Sequence, residues 1–131
     1  MAAAESYPED LKYNDEHDWA RIDGGEAVLG ITWFAADSLG ELVHFEPPAA
    51  GAAIVKDESY GEVESVKAVS DLIAPLSGEV LEVNQRVVDA PETVNEDPYG
   101  DGWLIRIRLS DPSEVDALLD LAAYKQVLVE Q

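Results

Sequence analysis

Lys67 stands between two β-prone runs, Glu62 to Val66 and Val69 to Ile73, and this spacing places it at or near the tip of a hairpin. A primary amine on a narrow, rigid tip suits acylation: a modifying enzyme can recognise its position, and an attached arm can swing clear of the body. A lysine in a β-turn is by itself only a solvated charge, so the flanking residues must decide. They read Gly61-Glu62-Val63-Glu64-Ser65-Val66-Lys67-Ala68-Val69-Ser70-Asp71, followed by Leu72-Ile73-Ala74-Pro75-Leu76-Ser77-Gly78. Glu62, Glu64 and Asp71 give the tip an acidic surround that a partner could read electrostatically. The same acids would also keep an exposed hairpin soluble.

Other residues offer less chemistry. His17 lies among acids and its ordinary pKa is about 6.5, but no nucleophile constellation accompanies it, so a packing or hydrogen-bonding role is expected. His44 sits inside an apolar run. With two histidines and no cysteine, no metal site is expected. No Ser-His-acid set, phosphate-binding glycine loop or metal motif points to a stand-alone hydrolase or transferase. Without cysteine the chain can form no disulfide, so any redox chemistry must come from a bound cofactor.

Composition narrows the partners. Eight basic residues against 28 acidic ones give a net charge of -20 over 131 residues. That charge repels nucleic-acid phosphates and anionic lipid surfaces. It favours partners with basic docking patches, and it serves equally well as a solubility adaptation, for example to a salty cytoplasm. The 47% apolar residues are spread in short clusters, none approaching the roughly 18 that a membrane span needs. No membrane or nucleic-acid partner is expected. Met1 to Glu5 match neither a secretory signal nor an arginine-rich transit peptide, which implies residence inside the cell, in the cytoplasm.

The elements that must position Lys67 are legible in outline. An aromatic-rich segment from Tyr13 to Ile22 turns at Asp23-Gly24-Gly25 and continues as Ala27 to Ile31, a hairpin signature. Thr32 is placed to cap a short helix through Phe34, Ala35 and Leu39, which Gly40 would end. Strands are expected over Leu42 to Phe45, Ala52 to Val55, Glu62 to Val66, Val69 to Ile73, Glu79 to Val83 and Trp103 to Leu109, the last with Arg106 and Arg108 on a wet face. Turn signals separate them at Pro47-Pro48, Gly51, Asp57-Glu58 and Pro75 to Gly78. Gly61-Glu62-Val63-Glu64 and Gly78 to Val83 resemble one another on either side of Lys67 and hint at quasi-symmetric halves. Asp111-Pro112 with Glu114 announces a helix whose core face reads Val115, Leu118, Leu119 and Ala122, and Tyr124, Val127 and Leu128 suggest another short one. Asn95 to Gly102 reads as a tight loop. Residues 7–131 are expected to form a single domain behind a disordered N-terminal extension of residues 1–6.

The Glu64-Ser65-Val66-Lys67-Ala68 core resembles the lipoyl-attachment motif of glycine cleavage H proteins. Biotin carriers flank their lysine with methionines, and Met1 is the single methionine here. The likeness extends to Tyr13-Asn14-Asp15-Glu16-His17-Asp18-Trp19, Leu29-Gly30-Ile31-Thr32, Leu39-Gly40-Glu41-Leu42-Val43 and Val83-Asn84. It also takes in Asn95-Glu96-Asp97-Pro98-Tyr99-Gly100-Asp101-Gly102-Trp103, a segment that the shorter lipoyl domains of 2-oxoacid dehydrogenases lack. Departures at Trp33-Phe34, His44 and Pro47 bear on partner contacts. The resemblance implies a mainly β fold, a lipoyl/biotinyl-type barrel-sandwich hybrid of short antiparallel strands, with a short helix in the N-terminal half and helices at the C-terminus.

It further implies lipoate as a covalent cofactor on Lys67, with Glu64, Ser65, Val66 and Ala68 as the recognition residues around it, and a non-catalytic, monomeric carrier. The implied cycle takes the aminomethyl group of glycine from a pyridoxal-phosphate glycine decarboxylase to a tetrahydrofolate-dependent aminomethyltransferase, with reoxidation by an FAD-containing dihydrolipoamide dehydrogenase. A lipoate ligase or lipoyl/octanoyl transferase would load the lysine. By motif matching, Glu16, Asp18 and Asp71, with Ser38 nearby, would line a groove sheltering the arm; each could equally be a solvated strand-edge residue. A mitochondrial matrix location is implied if the chain is a processed eukaryotic form. Two alternatives stay open: a lipoyl or octanoyl relay in cofactor assembly, and an interaction module that is never lipoylated.

Overall fold

The computed structural model describes residues 2–131. Nine short strands form two antiparallel sheets. The larger sheet orders its strands as β1 (Lys12–Tyr13), β2 (Asp18–Asp23), β3 (Glu26–Ile31), β9 (Ile105–Leu109), β8 (Gly78–Val83) and β5 (Ala53–Ile54). The smaller contains β4 (Leu42–Glu46), β6 (Ser59–Ser65) and β7 (Val69–Ile73), with β6 in the middle. This is the mainly β, short-stranded architecture that the sequence implied.

The β2–β3 hairpin turns through Gly24 and Gly25, with Asp23 opposite Glu26, and Gly24 has φ 60°. Glycine adopts that left-handed value without steric cost, which lets a two-residue turn follow the twist of its strands. Trp19 stands opposite Gly30 in the same hairpin. A Cβ on Gly30 would lie 2.5 Å from the Trp19 ring, so the indole occupies the space that the missing side chain leaves. In β9 the alternation holds: Ile105, Ile107 and Leu109 are buried, and Arg106 and Arg108 face outward to pair with Glu82 and Glu79 on β8.

Alternating inward residues of both sheets, including Leu29, Phe45, Val63, Leu72, Val80 and Ile107, build the main core. A second cluster of Leu11, Tyr13, Trp19 and Tyr124 lies on the far side of the larger sheet. There Tyr13 and Tyr124 stack with ring centroids 4.6 Å apart, which anchors the terminal helix α4 (Leu121–Val129).

Several boundaries differ from the sequence expectation. The run from Tyr13 to Ile22 is interrupted because the Asn14 side chain accepts from the amides of Glu16 and Asp18, closing an Asx-type turn in which His17 takes φ 67°. Ala52 to Val55 contributes only a two-residue strand, and Val66 lies outside its strand. The Asp111-capped helix is a 3-10 turn, Pro112–Ala117, that ends where Leu118 becomes extended. Leu119 then bridges to Tyr13, and Ala122, assigned to a core face, is exposed. Two unexpected helices appear, α2 (Gln85–Asp89), capped by Asn84, and α3 (Thr93–Glu96), which converts the start of the Asn95 to Gly102 loop into a helical turn. The two similar Gly-led segments fall in different sheets, on β6 and β8. The segment before residue 7 carries no helix or strand over residues 2–6, yet Ala3 exchanges hydrogen bonds with the body through Asn95 and Trp33. No helix among the described residues is long and apolar enough to cross a membrane.

Candidate functional site

Strands β6 and β7 pair down to Glu64 opposite Val69, and the four residues from Ser65 to Ala68 form the crest between them. Ser65 holds that crest shut. Its amide donates to the Ala68 carbonyl at 2.8 Å, and its buried hydroxyl oxygen accepts from the amides of Lys67 at 3.3 Å and Ala68 at 3.1 Å. Val66, Lys67 and Ala68 project into solvent, with Val66 79% exposed. The backbone beneath Lys67 is therefore fixed while its side chain is free, and its ammonium forms no ion pair among the described residues.

The lysine stem has one neighbour that was legible in the sequence only as a helix stop. Helix α1 (Trp33–Leu39) is capped at its start by the Thr32 hydroxyl and ended by Gly40, whose φ of 87° and ψ of -168° suit glycine alone. A Cβ on Gly40 would stand 3.4 Å from Lys67 Cε and 3.9 Å from Nζ. Glycine thus leaves a cradle along which the lysine stem and an acyl group on it can lie.

Asn95 fixes this corner. Its side-chain oxygen accepts from the Leu42 amide at 2.9 Å, and its Nδ2 donates to the Gly40 carbonyl at 2.9 Å. Leu42 in turn pairs with Ser65 at the base of the crest. Asn95 was legible only as part of a loop motif. Its bonding to α1 and β4 depends on folding across more than 50 residues, which local spacing does not display.

Next to Gly40 an open cleft of about 170 Å³ is lined by Trp33, Ala36, Asp37, Glu41, Glu92 and Asn95, among others. None of the four residues expected around the arm lines this cleft or the second one, near Lys56 and Leu118. Glu16 is exposed in the Asn14 turn and Ser38 is exposed on α1. Asp71 is exposed on β7, opposite Glu62, which itself faces Glu46 on β4, so three carboxylates cross the small sheet in one row. Asp18 is different: it is 3% exposed and accepts a hydrogen bond from Asn14 Nδ2 at 3.1 Å. Burial pushes its carboxyl well above the usual carboxylate range, against the opposing effect of Asn14. Burial likewise raises Tyr60, with the Asp18 charge adding to it.

A mainly β barrel-sandwich body that holds one unpaired lysine on a hydrogen-bonded hairpin crest defines a carrier domain. The family model described as Glycine cleavage H-protein matches residues 11–131. The chain belongs to the glycine cleavage H-protein family. It is 56% identical over 124 residues to the glycine cleavage system H protein of Anaeromyxobacter sp. (strain K), covering 95% of this chain and 97% of that one. To the Symbiobacterium thermophilum H protein it is 52% identical, covering 89% and 91%. Among solved structures, a glycine cleavage system H protein from Mycobacterium marinum aligns with a TM-score of 0.83 at 43% identity, covering 90% of this chain and 95% of that chain.

Proposed function

We propose that the chain is the lipoyl carrier of the glycine cleavage system, with lipoate joined through an amide to Lys67. The observation that carries this reading is the freely projecting Lys67 side chain above a crest clamped by Ser65. When bound, lipoate supplies a redox-active disulfide able to take up the aminomethyl group of glycine at a pyridoxal-phosphate decarboxylase, yield it to a tetrahydrofolate-dependent aminomethyltransferase and be reoxidised by an FAD-containing dihydrolipoamide dehydrogenase. The chain itself holds the arm's root still and catalyses nothing. Glu64, Ser65, Val66 and Ala68 present the lysine to a lipoate ligase or a lipoyl/octanoyl transferase. Acylation removes one positive charge from a net of -20, so attraction to basic partner surfaces persists after loading. Residues 7–131 act as one carrier domain, a monomer in the cytoplasm, or in the mitochondrial matrix for a processed eukaryotic form.

Within this reading Glu16, Asp18, Ser38 and Asp71 shelter the arm's cargo from water, Asp18 as a buried hydrogen-bonding group and Asp71 from the lysine's own hairpin. Replacing Asp18 and Asp71 by Asn then shortens the lifetime of the cargo on the protein several-fold; an unchanged lifetime would remove the four from this role. The attachment itself is tested by intact-mass and peptide mass spectrometry after co-expression with a lipoate ligase. The expected result is a lipoyl adduct confined to the Lys67 peptide and absent from Lys67→Arg. No adduct under conditions that modify a control lipoyl domain would leave the chain an unlipoylated interaction module.

A further inference from the structure

Asn95 is half-buried, and its side-chain amide is used at both ends. Oδ1 accepts from the Leu42 N–H at 2.9 Å and Nδ2 donates to the Gly40 carbonyl at 2.9 Å, so one amide brackets the backbone on either side of Glu41. Both bracketed residues bear on Lys67. Gly40 stands against the stem, the position of its Cβ lying 3.4 Å from Lys67 Cε. Leu42 stands opposite Ser65, whose hydroxyl closes the crest. One side chain on α3 therefore reaches the lysine at its tail and at its root.

Asn95 is itself held from behind, because its backbone carbonyl accepts from the Ala3 N–H at 2.8 Å and α3 packs against α1. Gly40 is then fixed from two directions: its N–H donates to the Ala36 carbonyl at 3.0 Å, and its own carbonyl is held by Asn95. Acylation makes use of such fixity. The Lys67 ammonium loses a proton, and the amine lone pair attacks an activated acyl carbon. The N–C bond forms, the bond to an adenylate or thiol leaving group breaks with its electron pair, and a second proton leaves the nitrogen for solvent. Attack of this kind is sensitive to placement, and an error of about 1 Å costs up to about a hundredfold in rate. The four-carbon stem keeps its rotamers on a rigid crest, so the surface at Gly40 is what limits where the amine stands.

We propose that Asn95 is a positioning residue for the acylation of Lys67, acting through Gly40 to set where the amine stands when a lipoate ligase engages the crest. The proposal rests on the reading of Lys67 as the acylated residue. Its consequence is that Glu64, Ser65, Val66 and Ala68 do not suffice: an intact crest beside a displaced Gly40 is a poor substrate.

Two substitutions separate the arms of the bracket. Asn95→Asp keeps an oxygen for the Leu42 N–H and puts a second oxygen where the donor to Gly40 was, whereas Asn95→Ala removes both arms. Each full-length variant, shown by urea melts to be folded at the assay temperature, is titrated as the substrate of a lipoate ligase supplied with lipoate and ATP. In parallel, peptide mass spectrometry follows acetylation of Lys67 by a water-soluble N-hydroxysuccinimide acetate, which asks only for an exposed amine. The expected result is a kcat lowered about tenfold in both variants, with KM and reagent acetylation within about twofold of wild type. Gly40→Ala, folded by the same criterion, should lose a similar factor. Gly40→Ala combined with Asn95→Ala should lose no more than the worse single variant, as residues acting as one unit do. An unchanged kcat, a change confined to KM, an equal loss of reagent acetylation or losses that multiply in the double variant would each overturn the positioning role and leave the carrier reading standing. Wild-type protein that takes no lipoyl group at Lys67 while a control lipoyl domain does would overturn the carrier reading and this role with it.

Discussion

Tyr60 carries a hydroxyl that is buried, with no hydrogen-bond partner among the described residues, while its ring packs in the main core. An unpaired buried hydroxyl costs about 1–3 kcal/mol of desolvation that nothing returns. Tyr60→Phe keeps the ring and removes the burden, so it should raise the unfolding free energy by about 1 kcal/mol, read from urea melts. A loss of stability instead would show that the hydroxyl has a partner in solution. Lys67 is the opposite kind of residue: its value lies in having no partner, which is why a solvated-charge reading and a carrier reading look alike until its neighbours are known.

At the scale of elements, the β6–β7 hairpin works because one side chain completes its crest. Ser65 is 4% exposed and its hydroxyl serves two amides, a local motif by which serine stabilises tight turns. Ser65→Ala leaves both donors without that acceptor and should cost about 1 kcal/mol. The diagnostic change is local: faster hydrogen exchange at the Lys67 and Ala68 amides and slower modification by a lipoate ligase, with the larger sheet unaffected. Unaltered exchange at those two amides would mean that the Ser65 to Ala68 backbone bond holds the crest alone. The second support comes from α1 and α3, which meet at Asn95 and set Gly40 beneath the lysine stem.

For the whole molecule the dominant quantity is charge. Of the few cations, Arg106 bridges Glu26 at 2.7 Å and Glu82 at 3.1 Å, while Arg108 and Arg86 pair with Glu79 and Asp101 at 2.7 Å each. These exposed pairs contribute little individually, because water and salt screen them. Most of the net charge of -20 is therefore left as self-repulsion, including the Glu46, Glu62 and Asp71 row on the small sheet. Screening should relieve it. Raising NaCl from about 0.01 M to about 1 M, which shrinks the Debye length from about 30 Å to about 3 Å, should raise the melting temperature by about 4 °C. A melting temperature independent of salt would mean that the acids are already compensated in the folded state.

The sequence by itself determined the strands in outline, the hairpin turn at Gly24, the Thr32-to-Gly40 helix and the position of Lys67 between two strands, because each is signalled by near neighbours along the chain. Alternation, capping and turn chemistry act over a few residues and are written directly in the order of side chains. The carrier family was legible too, since Glu64 to Ala68 and Asn95 to Trp103 stand in order along one chain. Tertiary structure alone decided what surrounds the lysine. Gly40 meets Lys67 across 27 positions, and Asn95 reaches Gly40 across 55. Asp18, a groove residue by motif or else a solvated strand-edge acid, is buried beside the turn that Asn14 closes. Burial and long-range approach depend on how two sheets and their helices close over one another, and no local pattern of residue types encodes that closure.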